Sequence, residues 1–184
     1  SIETISFSGE HYVIAVTDEN VDGPPYFVEV MHLLPAMIDI DLYKKIETII
    51  FRVLDAFKIQ HGASHIELLV NENAEINIIE VASRMGGYRE KMILNSIGID
   101  YLDLIIDSSI GAEVEKRNLL VKSKDFSIIK WIATKKDFEI FSDTLENEPD
   151  LIVEWSVDSS MITARYRATN LVETAGYYIL KLNP

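Results

Sequence analysis

Two glutamates, Glu67 and Glu80, stand on either side of a short polar turn, with Arg84 just beyond the second and His65 just before the first. Oxygen ligands suit Mg²⁺ (or Mn²⁺), which takes one or two protein carboxylates and completes its shell with phosphate oxygens and water. A guanidinium beside such a pair can hold a phosphate or a carboxylate. A magnesium nucleotide has both properties. The plain alternative is that Glu67 and Glu80 are solvated acids on an open sheet face and that Arg84 pairs with one of them. Met85-Gly86-Gly87-Tyr88 follows, a flexible turn whose backbone N–H groups lie near a helix start. That arrangement suits an anion and is also common in ordinary strand-to-helix loops. His65 could orient Glu67 or contact a ligand, although a lone histidine is more often structural. Glu29 and His32, three residues apart just before Leu33-Leu34-Pro35, are a further candidate pair. Strand parity separates their faces unless the chain bends near His32.

These side chains act together only if their strands pair in the right register. Residues 62–84 read as two strands about a turn near Glu72-Asn73-Ala74-Glu75. With Asn73 and Ala74 as a two-residue hairpin loop, Glu67 falls opposite Glu80, Leu69 opposite Ile78 and His65 opposite Ala82. The opposite face then holds Ile66, Leu68, Val70, Asn77, Ile79 and Val81, mostly aliphatic, and needs a core to cover it. Facing side chains on antiparallel strands have Cβ atoms about 4.5–5.5 Å apart, close enough for two carboxylates to share cations.

The covering element is a helix before the hairpin. Leu42, Ile46, Ile49, Ile50, Val53, Leu54 and Phe57 recur at helical spacing, while Lys44, Lys45, Glu47 and Arg52 lie mostly off that stripe, and Asp39 or Asp41 can cap it. Upstream, residues 1–7 and 11–17 read as a hairpin about Gly9, and residues 26–32 as a third strand after the turn Asp22-Gly23-Pro24-Pro25. Downstream, residues 89–97 and 101–110 read as two helices separated by Gly98. Residues 128–132, 138–140, 151–157, 161–166 and 176–182 read as short strands. The expected fold is α+β: an antiparallel sheet packed with helices over residues 1–115, then a small, mainly antiparallel β subdomain over residues 116–184.

Thirty acidic against seventeen basic residues leave a net charge of −13, which argues against nucleic acid or anionic lipid as a general partner. Cysteine is absent, so disulfides, thiolate metal sites and cysteine nucleophiles are excluded and a cytoplasmic setting is expected. No run approaches the roughly 20 apolar residues of a membrane span, and no membrane association is expected. The chain begins inside a strand without a preceding cap, which suggests that Ser1 is an artificial boundary. Oligomeric state is open, a homodimer included.

Gly62-Ala63-Ser64-His65-Ile66-Glu67-Leu68, followed by Ile79-Glu80-Val81-Ala82-Ser83-Arg84-Met85-Gly86-Gly87, resembles the ATP-grasp superfamily. The resemblance covers roughly residues 1–112. The usual second motif is E-x-N-x-R, and here Ala82 stands where asparagine commonly helps hold a second metal. The E-x-A-x-R form, with Phe27-Val28-Glu29-Val30-Met31-His32 and Pro35 upstream, resembles the branch of L-amino-acid and other carboxylate–amine ligases. The resemblance implies Glu67 and Glu80 as ligands of Mg²⁺ (or Mn²⁺). It implies Arg84 as the catalytic contact to the transferring phosphoryl group or acyl phosphate, and Glu29, His32, Gly86, Gly87 and Tyr88 as the border of an amino-acid site. The implied reaction is ADP-forming, with ATP as co-substrate and a small carboxylate or amino acid joined to an amine. The family closes over ATP with two lobes. The N-terminal lobe is expected to be missing here, so the chain alone is expected to bind nucleotide weakly and turn over little.

Two rival readings stand beside this one. The departure at Ala82 fits a nucleotide- and metal-binding relative without turnover. A hydrolase using Glu67 and Glu80 would need no second lobe at all.

Overall fold

A computed structural model describes residues 1–113 and 115–183. Along the chain come β1 (Ile2–Phe7), β2 (Glu10–Val16), β3 (Asp18–Val21), β4 (Glu29–Leu34), α1 (Ile40–Ala56), β5 (Gly62–Val70) and β6 (Ile76–Ala82). Then follow α2 (Arg89–Ile97), α3 (Tyr101–Ser109), β7 (Phe126–Trp131), α4 (Lys135–Asn147), β8 (Ile152–Val157) and β9 (Gly176–Leu182). Every strand pair is antiparallel, so the expected α+β class holds. Contacts divide the chain into two units, Ser1–Thr17 with Pro35–Ser123, and Asp18–Leu34 with Lys124–Pro184. The sequence reading expected one cut after residue 115. No helix among the described residues is long and apolar enough to cross a membrane.

In the first unit the sheet runs in the order β2-β1-β5-β6. The α1 stripe forms as expected: Asp39 accepts from the Leu42 N–H at 2.8 Å and caps the helix, which turns Ile46, Ile50 and Leu54 onto Ile2 and Ile66. Neighbouring residues of a strand point to opposite faces, so Glu3 and His65, next to Ile2 and Ile66 and paired across β1 and β5, face the other way. On that side stand α2 and α3, the latter capped by Asp100 accepting from the Asp103 N–H at 3.1 Å.

The second unit has the sheet order β3-β4-β7-β9-β8, and three sequence expectations change there. The strand expected over residues 26–32 lies at Glu29–Leu34, pairs with β3, which the sequence reading had not separated from the hairpin, and belongs to this sheet. Residues 138–140, expected as a strand, are inside α4. A capping box joins Thr134 and Asp137, and Phe138, Phe141 and Leu145 make a helical stripe that three alternating residues alone cannot reveal. Residues 161–166 are turns rather than a strand. Tyr166 anchors them by donating its hydroxyl to Ile132 O at 2.8 Å.

Candidate functional site

Residues 65–67 of β5 and 80–82 of β6 form the ladder on which the candidate site rests. Glu67 pairs directly with Glu80 and His65 with Ala82, as expected. The rest of the hairpin departs from the expected register. Its loop contains three residues rather than two, with Asn71 and Glu75 bonded across it and Ala74 in the left-handed region at φ 56°. One step beyond Glu67 the register shifts, leaving Ile79 as an extra residue on β6. This β-bulge reverses side-chain parity. Ile76 and Ile78, expected on the site face, pack into the α1 core, while Ile79, expected in the core, is 59% exposed. Bulge and longer loop offset one another, which is why the acid pair survives.

Glu67 and Glu80 have side chains 37% and 53% exposed, so a cation there stays open to solvent and to further ligands. Among the described residues no cluster of three or more His, Asp or Glu is placed to hold a metal alone. Two facing carboxylates leave most of an octahedral shell to other oxygens, which fits Mg²⁺ or Mn²⁺ carried by a phosphate ligand and does not fit a metal caged by protein. Arg84 lies at 3.9 Å from Glu80 Oε1 and donates to the Met85 carbonyl at 3.0 Å. Near it, the start of β5, the loop after β6 and α3 line a shallow cavity of about 450 Å³ that includes His61, Met85, Leu102 and Ile105.

Behind the acid pair lies a network whose anchor the sequence reading missed. His65 Nε2 is 3.3 Å from Glu67 Oε1, and His65 Nδ1 is 2.5 Å from Oε1 of Glu3, which is fully buried. Glu3 Oε2 accepts from the Gly86 N–H at 3.2 Å and from the Tyr101 hydroxyl at 3.4 Å, and Arg89 Nε lies 3.6 Å from Oε1. Ionised carboxylates only accept, so with both ring nitrogens facing them His65 is in place to donate from each. Burial alone disfavours the charged ring, but the hydrogen bond and charge of Glu3, helped by Glu67 and opposed by Arg89, raise the His65 pKa overall. Burial, then Glu3, likewise pushes the Tyr101 phenol up. An acid within the otherwise buried strand Ile2–Phe7 was the available signal.

The two glycines of the loop differ in their surroundings. At Gly86 a Cβ would lie 2.6 Å from both Glu3 Oε1 and His65 Nδ1, whereas at Gly87 it would meet nothing within 4 Å. The Gly86 N–H is directed at a protein carboxylate. Tyr88, in the left-handed region at φ 60°, stands at the N-terminus of α2.

Glu29 and His32 lie in the second unit. His32 Nε2 is 3.4 Å from Glu29 Oε2, and its ring meets Trp131 edge-on at 4.6 Å. A bulge at Val30, where the β3–β4 register shifts, turns both side chains to one face. The bend near His32 that the sequence reading required is not what joins them.

Residues 3–91 match the family described as ATP-grasp domain. The chain is 25% identical over 156 residues to an alanine–anticapsin ligase of Bacillus subtilis (strain 168), covering 84% of this chain and 33% of that protein. An alanine–anticapsin ligase of Bacillus amyloliquefaciens is 28% identical over 108 residues, 58% of this chain and 22% of its own length. Among solved structures, an L-amino acid ligase from Bacillus licheniformis superposes with a TM-score of 0.76 at 16% identity, over all of this chain and 48% of the other. A phosphoribosylglycinamide synthetase from Anaerococcus prevotii gives a TM-score of 0.73 at 16% identity over 100% and 47%. The chain thus spans about a third of the first of these relatives and half of the matched structures. The acid pair, Arg84 and the glycine loop all lie within residues 3–91, the segment similar to the ATP-grasp domain.

Proposed function

We propose that this chain is the metal-and-phosphate side of an ATP-dependent carboxylate–amine ligase that forms ADP through an acyl phosphate. The single observation that carries the reading is the direct pairing of Glu67 with Glu80, Arg84 lying within 4 Å of Glu80, in a segment of ATP-grasp type. Glu67 and Glu80 would hold Mg²⁺ or Mn²⁺, which offsets charge on the transferring phosphoryl group.

A substrate carboxylate oxygen attacks the γ-phosphorus of ATP, and ADP leaves. The amine then attacks the acyl carbon, expels phosphate and loses its proton as the amide forms. Arg84 can leave its exposed ion pair with Glu80 at little cost to hold the phosphoryl oxygens, and it supplies charge where charge develops. No enzyme nucleophile is needed, in keeping with a chain without cysteine. Gly86, Gly87 and Tyr88 are proposed to border the amino-acid subsite. Glu29 and His32, the other residues implied by the resemblance, form a carboxylate–imidazole pair in the second unit. Similarity to an L-amino acid ligase and to alanine–anticapsin ligases supports amino acids as substrates, and a cytoplasmic setting suits the composition. The turnover is assigned to the complete ligase, with the 184-residue chain by itself expected to release no ADP.

Replacing Glu80 by glutamine in the full-length protein tests this. Metal-dependent ADP formation is expected to fall at least about 100-fold with circular dichroism unchanged, because the side chain is on the open face. Unchanged activity overturns the metal assignment. Metal-dependent nucleotide binding without any ADP formation by the unaltered protein favours instead a non-catalytic relative, for which Ala82 is the supporting observation.

A further inference from the structure

Glu67 is a half-exposed side chain on a strand edge pair, with a carboxylate opposite it that repels it. Nothing in that position by itself holds its oxygens in one orientation. What holds them is a line of contacts running inward. Glu67 Oε1 meets His65 Nε2 at 3.3 Å, His65 Nδ1 meets Glu3 Oε1 at 2.5 Å, and Glu3 Oε2 is held by the Gly86 N–H at 3.2 Å. The Tyr101 hydroxyl, itself bonded to Thr4 O at 2.8 Å, closes on the same oxygen at 3.4 Å.

The inner end of this line is expensive. A buried acid and a buried imidazole must both leave water, and apolar residues of similar volume would commonly be as stable. Gly86 further gives up a side chain so that its backbone can approach both groups, a Cβ there lying within 2.6 Å of each. The outer end is different, because it opens at the carboxylate that faces Glu80. Burial of the ring and its two-ended bonding fix where Glu67 Oε1 points, which is how groups behind a metal ligand commonly act.

We propose that Glu3, acting through His65, positions Glu67 for cation binding, so that Glu3 and His65 are positioning residues although neither reaches the cation. This rests on the metal assignment of Glu67 and Glu80 made above. Glu3 restrains the ring, the ring restrains Glu67, and the glycine at 86 makes room for both.

The test is Mn²⁺ binding to the full-length protein with ADP present, read from water-proton relaxation enhancement against a protein-free Mn²⁺–ADP control, with melting temperature measured in parallel. His65→Phe, which keeps a ring without donors, is expected to weaken Mn²⁺ binding about tenfold. His65→Gln, whose amide can still donate to Glu67, is expected to remain within about threefold of the unaltered protein. Glu3→Gln is expected to weaken binding several-fold although it lies behind the ring; should it fail to fold, the two His65 variants decide. If Glu67→Gln weakens binding while both His65 variants leave it unchanged, this inference falls and the metal assignment stands. If the unaltered full-length protein binds no Mn²⁺ with ADP present, both fall. A loss in His65→Phe and His65→Gln that follows their melting temperatures alone means a structural role only, and also overturns the proposal.

Discussion

Glu67 stands directly across from Glu80 in the β5–β6 ladder, and the register slips by one residue at the next step. Like charges at facing positions destabilise a sheet by roughly 0.2–1 kcal/mol. Without divalent cation, Glu80→Gln should therefore melt slightly higher than the unaltered chain. Added Mg²⁺ should raise the melting temperature of the unaltered chain and leave the variant unmoved, as followed by far-ultraviolet circular dichroism. A variant that melts lower in both conditions would mean that the two acids do not repel.

The bulge at Ile79 makes a contrast between neighbours. Ile79 is exposed and Ile78 packs into the α1 core, so Ile79→Ala should change stability by no more than about 0.5 kcal/mol while Ile78→Ala costs about 1–3 kcal/mol. Chemical denaturation of the two variants checks it, and the reverse order would restore the uniform register.

Gly86 and Gly87 differ in the same way. A methyl group at Gly86 would collide with Glu3 and His65, and one at Gly87 would meet open space. Gly86→Ala is expected to lower stability by about 1–3 kcal/mol and Gly87→Ala by less than about 0.5 kcal/mol, measured by urea titration. Equal effects would show that the loop does not pack on Glu3 as described.

Alkaline pH should act on the second unit. Burial, with Asp137 adding to it, pushes the Tyr178 phenol up to about 12, and the residue is only 1% exposed. The folded state thus keeps this proton longer than the unfolded chain, whose phenol has the ordinary value near 10. The stability concerned is fully present below pH ~10 and is lost as pH rises through about 12, up to roughly 2–3 kcal/mol. Tyrosinate absorbance with Trp131 and Trp155 fluorescence should show that loss, and Tyr178→Phe should flatten the dependence. A dependence unaltered by the substitution assigns the loss to another group.

Much of the first unit was legible in its residues, for local reasons. Asp39 and Gly98 mark where helices start and stop, the Ile46–Ile50–Leu54 spacing names a buried stripe, and Gly62–Leu68 with Ile79–Gly87 is a motif pair of one superfamily. The second unit was less legible. Phe138-Glu139-Ile140 alternates like a strand, and only the Thr134–Asp137 box and the packing of Phe141 show a helix. The strand expected over residues 26–32 was displaced because Asp22 binds the Val28 N–H at 2.7 Å and holds Tyr26 and Phe27 in a turn.

What the residues determined alone was the chemistry available, because side-chain type is a local property of the chain; the facing of Glu67 and Glu80 held because a longer loop and a bulge offset one another. What only the tertiary structure decided was which other side chains those carboxylates meet. Strand parity holds only until a bulge adds a residue, and the bulges at Ile79 and Val30 are set by packing on both faces of a sheet. Glu3 and His65 are 62 residues apart in the chain, and no local pattern connects them. Their contact exists because β1 pairs with β5, and that pairing buries an acid and an imidazole behind Glu67.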